Sequence, residues 1–273
     1  MTSGAAFSLP ENLANLGVAT DLLLHAEIGV VEERERYVVA RTPDAPEYFF
    51  GNMLVLPTRP LKSDLALLEA DFARLVGMPP RIRHRTFVWA EHVDVTPDLS
   101  MFISHGYDAN VCRVLVAQPN DIRNVAANPA VHVRPLDSQN DWDAWEKMQL
   151  ADMNDPSDVT SIRYVAWQQK AYRTLIAKGL DDEWGAFIDG ELAGSLGLFF
   201  TGGVGRFQQV LTGEPYRNRG VCKTLVSEAI ARTSTRANRL VLVADAAHHA
   251  GTIYETLGFR RLEGMGRACR EPQ

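Results

Sequence analysis

The sequence predicts an α/β fold built on a mixed sheet and arranged as two successive halves of one plan. Three observations carry this. Short β-branched runs alternate with helix-period segments along the whole chain. In the second half an apolar strand leads through a basic, glycine-containing turn into an amphipathic helix. The first half repeats the strand, helix, strand order but lacks that turn.

In the first half, Tyr37 to Arg41 and Tyr48 to Leu56 read as strands, Ser63 to Val76 as a helix and Thr86 to Ala90 as a strand. Pro97 to Ser104 reads as a helix that ends at His105-Gly106-Tyr107 and is followed by a strand, Val111 to Ala117. The stretch Asn128-Pro129 to Asp137-Ser138 separates the halves, so residues 1–127 and 128–273 are expected as two domains. The second half opens on a strand within Val131 to Leu136. Helices follow over Asp141 to Met148 and Ile162 to Lys178, then a hairpin, Trp184 to Ile188 and Glu191 to Phe200, turning at Asp189-Gly190. Arg206 to Leu211 is the next strand. A helix starting at Val221 places Val221, Cys222, Leu225, Val226, Ala229 and Ile230 on one face. Arg239 to Ala244 is a buried strand, His248 to Leu257 a helix capped at Gly258, and Phe259 begins the last strand.

The turn between strand and helix has the chemistry of an anion site. From Val210, Leu211 and Thr212 the chain passes to Arg217-Asn218-Arg219-Gly220-Val221-Cys222. Amides at a helix start lack intrahelical partners, and the macrodipole adds about half a positive charge there. Arg217 and Arg219 add whole charges, and Gly220 allows close approach of the main chain to a diphosphate. The corresponding stretch of the first half, Pro57 to Asp64, has two prolines and no glycine, so it has lost the cradle.

These residues resemble the GNAT superfamily of acyl-CoA-dependent N-acyltransferases. Arg217-x-x-Gly220-x-Cys222 matches the family's phosphate-loop pattern Gln/Arg-x-x-Gly-x-Gly/Ala except at its last, still small, position. Ile253-Tyr254-Glu255-Thr256-Leu257-Gly258-Phe259 matches Leu-Tyr-Glu-x-x-Gly-Phe at the usual distance. Ala247 departs from the pattern, standing where many members carry an Asn. The resemblance covers roughly residues 130 to 270 and implies a GNAT fold there. The first half then reads as a degenerate GNAT-like domain, in a tandem arrangement known among such proteins.

The resemblance also implies a site. Val210, Leu211, Thr212, Arg217, Asn218, Arg219, Gly220, Val221 and Cys222 are expected to bind acetyl-CoA, and no metal is expected. Tyr254 stands at the family's position for the acid that protonates the departing thiolate, a role open to a group with a pKa near 10. The general base is unassigned: Gln208 and Gln209 stand where some members place a glutamate, and Asp245, His248, His249 and Glu183 are the substitutes on offer. Trp142, Trp145, Trp167 and Trp184 read as core before they read as an acceptor wall. Asp152, Asp155 and Asp158 lie in the loop that in GNAT proteins borders the acceptor.

Composition narrows the partners. With 28 Lys and Arg against 34 Asp and Glu the net charge is −6, which argues against a nucleic-acid partner and suits a cationic amine. No apolar span approaches 20 residues and the start lacks a secretion signal, so a cytoplasmic protein without membrane contact is expected. Cys112, Cys222 and Cys269 suggest neither a disulfide framework nor a zinc site. The expected activity is acetyl transfer from acetyl-CoA to a primary amine of a small molecule or peptide, directly within a ternary complex. Alternatives are a different acyl donor, a mycothiol-like acceptor, or a non-catalytic acyl-CoA sensor. A homodimer is left open.

Overall fold

The computed structural model describes residues 15–123, 125–246 and 250–272. Contacts divide the chain into two compact units, residues 1–114 with 245–247 and 262–273, and residues 115–244 with 248–261.

The first unit begins with α1 (Leu16–Ile28), capped by the Asn15 side chain, which accepts from the Val18 amide. Then come β1 (Val30–Glu33), β2 (Val38–Arg41) and β3 (Met53–Leu56), α2 (Leu65–Leu75), β4 (Arg85–Glu91), α3 (Ser100–Ile103) and β5 (Asp108–Ala117), the last crossing into the second unit after Val114. β3 pairs with β4 in parallel, Leu54 beside Phe87. Phe72, Phe87, Trp89, Phe102 and Leu68 fill the core. The turn after α3 takes the form expected from Gly106: Tyr107 N–H donates to Phe102 O at 3.1 Å and Gly106 N–H to Ile103 O at 3.1 Å.

The second unit runs β6 (His132–Pro135), α4 (Gln139–Ala151), α5 (Val159–Ala177), β7 (Asp181–Ile188), β8 (Glu191–Thr201), β9 (Val204–Thr212), α6 (Val221–Thr233), β10 (Arg239–Asp245) and α7 (Ala250–Thr256). The final strand, β11 (Arg260–Arg270), leaves this unit after Arg261 and there pairs antiparallel with β4. Strand order within the unit is β10-β9-β8-β7-β6. The helix starts follow from their caps. Ser138 accepts from the Asp141 amide while Asp141 takes a two-pronged pair from Arg134 at 2.7 and 2.8 Å, and Asp158 accepts from Thr160 and Ser161. α7 ends as α3 does, with Phe259 N–H on Tyr254 O and Gly258 N–H on Glu255 O, both at 3.1 Å. The shared ending is the physical content of the repeat seen in the sequence.

Side chains alternate across the hairpin. Trp184, Leu196, Leu198 and Phe207 join the core against α6, with Leu225, Val226 and Ala229 opposite. Glu183, Gly197 and Gln208, paired in one row across β7, β8 and β9, face the other side, where α5 packs on β7 and α4 on β8.

Three expected elements differ. Of Pro97 to Ser104 only Ser100–Ile103 is helical. Tyr48 to Leu56 is a strand only from Met53, because Phe49–Gly51 closes a 3-10 turn held by the Asn52 side chain. Ser63 to Val76 is helical from Leu65, preceded by a 3-10 turn in which the Asp64 carboxylate accepts from the Leu61 amide. α1 and β1 were not expected at all. Most of α1 is buried and it has no polar face to give it a period.

Candidate functional site

The site is built where β9 leaves β10. Their parallel pairing covers only Val204 to Arg206 of β9, beside Arg239 to Val241. Beyond it β9 keeps its pairing with β8 alone, and that ladder slips by one residue: Gly197 faces Gln208 and Ser195 faces Leu211. The extra residue is accommodated at a bulge, with Gln209 at φ 43°. From Phe207 to Thr212 the edge of β9 turned away from β8 therefore pairs with no strand among the described residues. Val210, Leu211 and Thr212, expected from the sequence to bind the co-substrate, all lie on this stretch.

After Thr212 the chain makes a 3-10 turn, Glu214–Tyr216, and a further turn over residues 217–220 before α6. Gly220 caps the helix at φ 75°, and Asn218 has φ 60°. Among the described residues, nothing accepts from the main-chain N–H groups of residues 218 to 223, and the first amide of the helix to be paired is that of Thr224, on Gly220 O. The far side of the loop is fixed by Asn128, whose Nδ2 donates to Arg219 O at 2.8 Å and whose own amide donates to Thr224 Oγ1 at 3.0 Å. Arg217, Asn218, Arg219 and Gly220 are exposed. Val221 is buried, so it offers only its amide, and Cys222 is half-buried.

Arg217 lies 3.6 Å from Asp152 in a half-exposed pair that an incoming anion can displace. Burial raises the Asp152 carboxyl above its ordinary range, and Arg217 partly offsets this. A cavity of about 390 Å³ opens beside them, lined by Lys147, Met148, Asp152, Leu211, Thr212 and Arg217 among others.

Tyr254 is 4% exposed. Burial, and then the neighbouring Cys222 thiol with which it hydrogen-bonds, raise its pKa well above 10, so it holds its proton throughout the physiological range. The last position of the phosphate-loop pattern is thus the residue that meets the tyrosine. Burial pushes the Cys222 thiol itself up to about 11.

The candidate bases separate. Asp245 accepts from Asn110 Nδ2 at 2.6 Å and pairs with Arg267 at 3.1 Å, so its carboxylate is already engaged. His248, His249 and Ala247 lie outside the described residues. Glu183 is 3% exposed, with neither carboxylate oxygen hydrogen-bonded among the described residues, and burial holds its pKa well above the ordinary carboxylate range. Of the loop acids, Asp158 is the cap of α5 and Asp155 holds Ser157 at 2.7 Å, so local structure claims both. Trp142, Trp145 and Trp184 are core, while Trp167 stacks on Tyr164 at 6.4 Å.

The comparisons with known proteins bear on this geometry. Residues 152–268, which hold the parted strands, the open loop and Tyr254, match the family model of the acetyltransferase (GNAT) domain. No curated protein matches the chain. Among solved structures, a functionally unknown conserved protein from Staphylococcus epidermidis is similar at TM-score 0.68 and 14% identity, over 90% of this chain and 95% of its own. A GCN5-related N-acetyltransferase from Kribbella flavida is similar at 0.61 and 14%, over 93% of each chain. A tandem GNAT protein from the clavulanic acid biosynthesis pathway is similar at 0.52 and 14%, over 81% and 74%. At such identities the likeness is one of fold. It extends well beyond the matched domain into the first half, in keeping with a GNAT fold used twice. No described helix of the protein is long and apolar enough to cross a membrane, and no metal-binding group of His, Cys, Asp and Glu occurs among the described residues.

What sequence reading missed in the matched stretch is Gly197, whose lack of a Cβ leaves room for Oε1 of Glu183. It carries no motif, and its partner across the strands is set by register.

Proposed function

We propose that the protein transfers an acetyl group from acetyl-CoA to a primary amine of a small molecule or peptide, by direct attack within a ternary complex. The observation that carries this reading is the set of amides at residues 218–223 and the edge of β9, both without partners among the described residues. The amides, with Arg217 and Arg219, fit a diphosphate, and a β-strand edge fits an extended chain of amides such as pantetheine. Acetyl-CoA bound there supplies the activated acyl group.

The protein's own groups have three tasks in that reading. A main-chain N–H in the stretch Val210 to Thr212 polarises the thioester carbonyl as it becomes an oxyanion. Tyr254 keeps a proton on its Oη and delivers it to the departing sulfur. A carboxylate takes the proton that the incoming ammonium must lose. The cytoplasm is the setting we assign, a reducing compartment in which Cys112, Cys222 and Cys269 stay out of disulfides.

The test is release of free CoA thiol against a panel of amines. Tyr254→Phe should lower kcat about 10²- to 10⁴-fold while CoA affinity stays within about threefold of the parent. Tight CoA binding with no thiol released for any amine would instead make the protein a sensor. Faster turnover with a longer acyl-CoA would move the donor away from acetyl.

A further inference from the structure

The cavity of about 390 Å³ at the end of β9 mixes apolar and charged residues in its lining. Met148 is buried and Leu211 half-buried there, and the cations Lys147 and Arg217 stand against the carboxylates of Asp152, Glu191 and Glu214. Leu211 and Thr212 also belong to the stretch of β9 whose outer edge pairs with no strand among the described residues. In the acetyl-transfer reading an amide of that stretch polarises the thioester carbonyl, so a ligand in the cavity is a neighbour of the acyl group.

Arg217 belongs to two places at once. It opens the loop whose amides at residues 218–223 lack partners among the described residues, and it lines the cavity. Its guanidinium is divided between two weak contacts, Nε donating to Thr212 O at 3.4 Å and Nη2 lying 3.6 Å from Asp152 Oδ1. The second is too long for a hydrogen bond, and the two side chains are 54% and 50% exposed. A diphosphate carries more charge than one carboxylate and can accept two N–H groups of a guanidinium together, so it wins Arg217 from Asp152.

Asp152 is poorly placed to stand alone. It is the C-cap residue of α4, at the negative end of the helix dipole, where a carboxylate is disfavoured. Burial raises its carboxyl above the ordinary range, and Arg217 is what offsets this. Once Arg217 turns to a diphosphate, that carboxylate shares the cavity with two others and with Lys147. The ligand that suits such a lining is a cation with an apolar body, its ammonium on Asp152 and its chain on Met148 and Leu211. An anion there meets like charge.

We propose that the Arg217–Asp152 pair couples the two substrates: the diphosphate of CoA takes Arg217, the released Asp152 takes the ammonium of the acceptor, and whichever binds first breaks the pair for the other. This rests on the acetyl-transfer reading. It names the acceptor as a primary amine on an apolar chain, and it makes Asp152 a binding residue. Linkage is reciprocal, so each ligand tightens the other by one factor, bounded by what a half-exposed ion pair is worth, about three- to fivefold.

The test is calorimetric titration of the full chain with CoA, which has no acyl group to transfer, and with 1-aminohexane. Saturating amine should lower the Kd of CoA about three- to fivefold, saturating CoA should lower the Kd of the amine by the same factor, and hexanoate should have neither effect. Asp152→Asn releases Arg217 without a substrate. It should bind CoA alone about threefold more tightly than the wild type, bind the amine more weakly, and retain coupling below about twofold. Glu191→Gln removes a carboxylate of the same cavity with which Arg217 makes no ion pair among the described residues, so its CoA affinity and coupling should match the wild type. Both positions are exposed, and neither variant should lose melting temperature. The inference falls if Asp152→Asn binds CoA as the wild type does with coupling intact, or if Glu191→Gln changes as much as Asp152→Asn. It falls too if hexanoate couples as the amine does, or if 1-aminohexane does not bind. In each of these cases thiol release from acetyl-CoA with any amine leaves the acetyl-transfer reading standing. Coupling through Asp152 without thiol release for any amine upholds the linkage while acetyl transfer fails, and a wild type that binds no CoA overturns both.

Discussion

Gly220 is the residue on which the co-substrate loop turns, and its surroundings separate two roles that a glycine can have. A Cβ built there meets nothing closer than Asn128 Cβ at 3.8 Å, so packing does not require a glycine. The backbone does, at φ 75°, where any other residue costs about 1 kcal/mol. Gly220→Glu is therefore expected to fold, with a melting temperature lowered by only a few degrees. It also sets a bulky anion among the unpaired amides of residues 218–223, so CoA affinity should fall more than about tenfold in a direct titration. Unchanged affinity would remove the loop from the site. Cys222 shows the opposite economy. The family pattern asks only for a small residue, and here that residue also supplies the hydroxyl of Tyr254 with a buried partner.

At the scale of elements, the α4–α5 layer over β7 encloses acids that folding makes hard to ionise. Oδ1 of Asp181 accepts from the amides of Asp182 at 2.9 Å and Leu198 at 3.1 Å, yet burial still outweighs those bonds and pushes its pKa up to about 7 from 3.8. The folded chain then holds a proton that the unfolded chain releases. Asp181 therefore contributes a loss of stability as pH rises from about 4 to about 7. The buried His84 imidazole, whose pKa burial lowers from 6.5 to about 3, acts in the opposite sense, and Glu183, raised by burial as well, acts in the same sense as Asp181. The carboxyls held low, Asp141 by Arg134 and Asp71 by Arg74, act in the opposite sense and only below that window, where acid removes their contribution. Asp181→Asn keeps an acceptor for both amides but cannot ionise. Between about pH 4 and 7 the wild type should lose stability relative to Asp181→Asn, and a constant difference in denaturation midpoint between the two would show that Asp181 is ionised when folded. The same layer shows what sequence reading reaches. The strand, loop and helix from Arg206 to Ile230 were legible because their signals are local: a β-branched run, a glycine, a helical stripe. The bulge at Gln209 and the reach of Glu183 over Gly197 were not, because each is a property of register between strands, which no single strand encodes.

Across the whole molecule, one strand–helix–strand plan appears in both units, with the cradle in only one. In the first unit the path from β3 to α2 runs through Pro57 and Pro60, which offer no amide hydrogen. Of the two cations in this stretch, Arg59 is committed to Glu91 at 2.7 Å, a carboxylate 3% exposed, and Lys62 pairs with Asp98 at 2.9 Å. Asp64 brings a negative charge to the start of α2 and takes up the Leu61 amide itself. Each of the three elements that make the second unit's loop an anion site is thus removed, reversed or already occupied, although the parallel strands and the helix end at Gly106 are kept. Calorimetric titration of the full chain with CoA should therefore saturate at one equivalent. Arg217→Glu combined with Arg219→Glu should reduce binding below detection rather than reveal a weaker second site. Two equivalents in the wild type, or one surviving in the double variant, would mean that the first unit grips the nucleotide by contacts other than main-chain amides and arginines, and that loss of its cradle did not silence it.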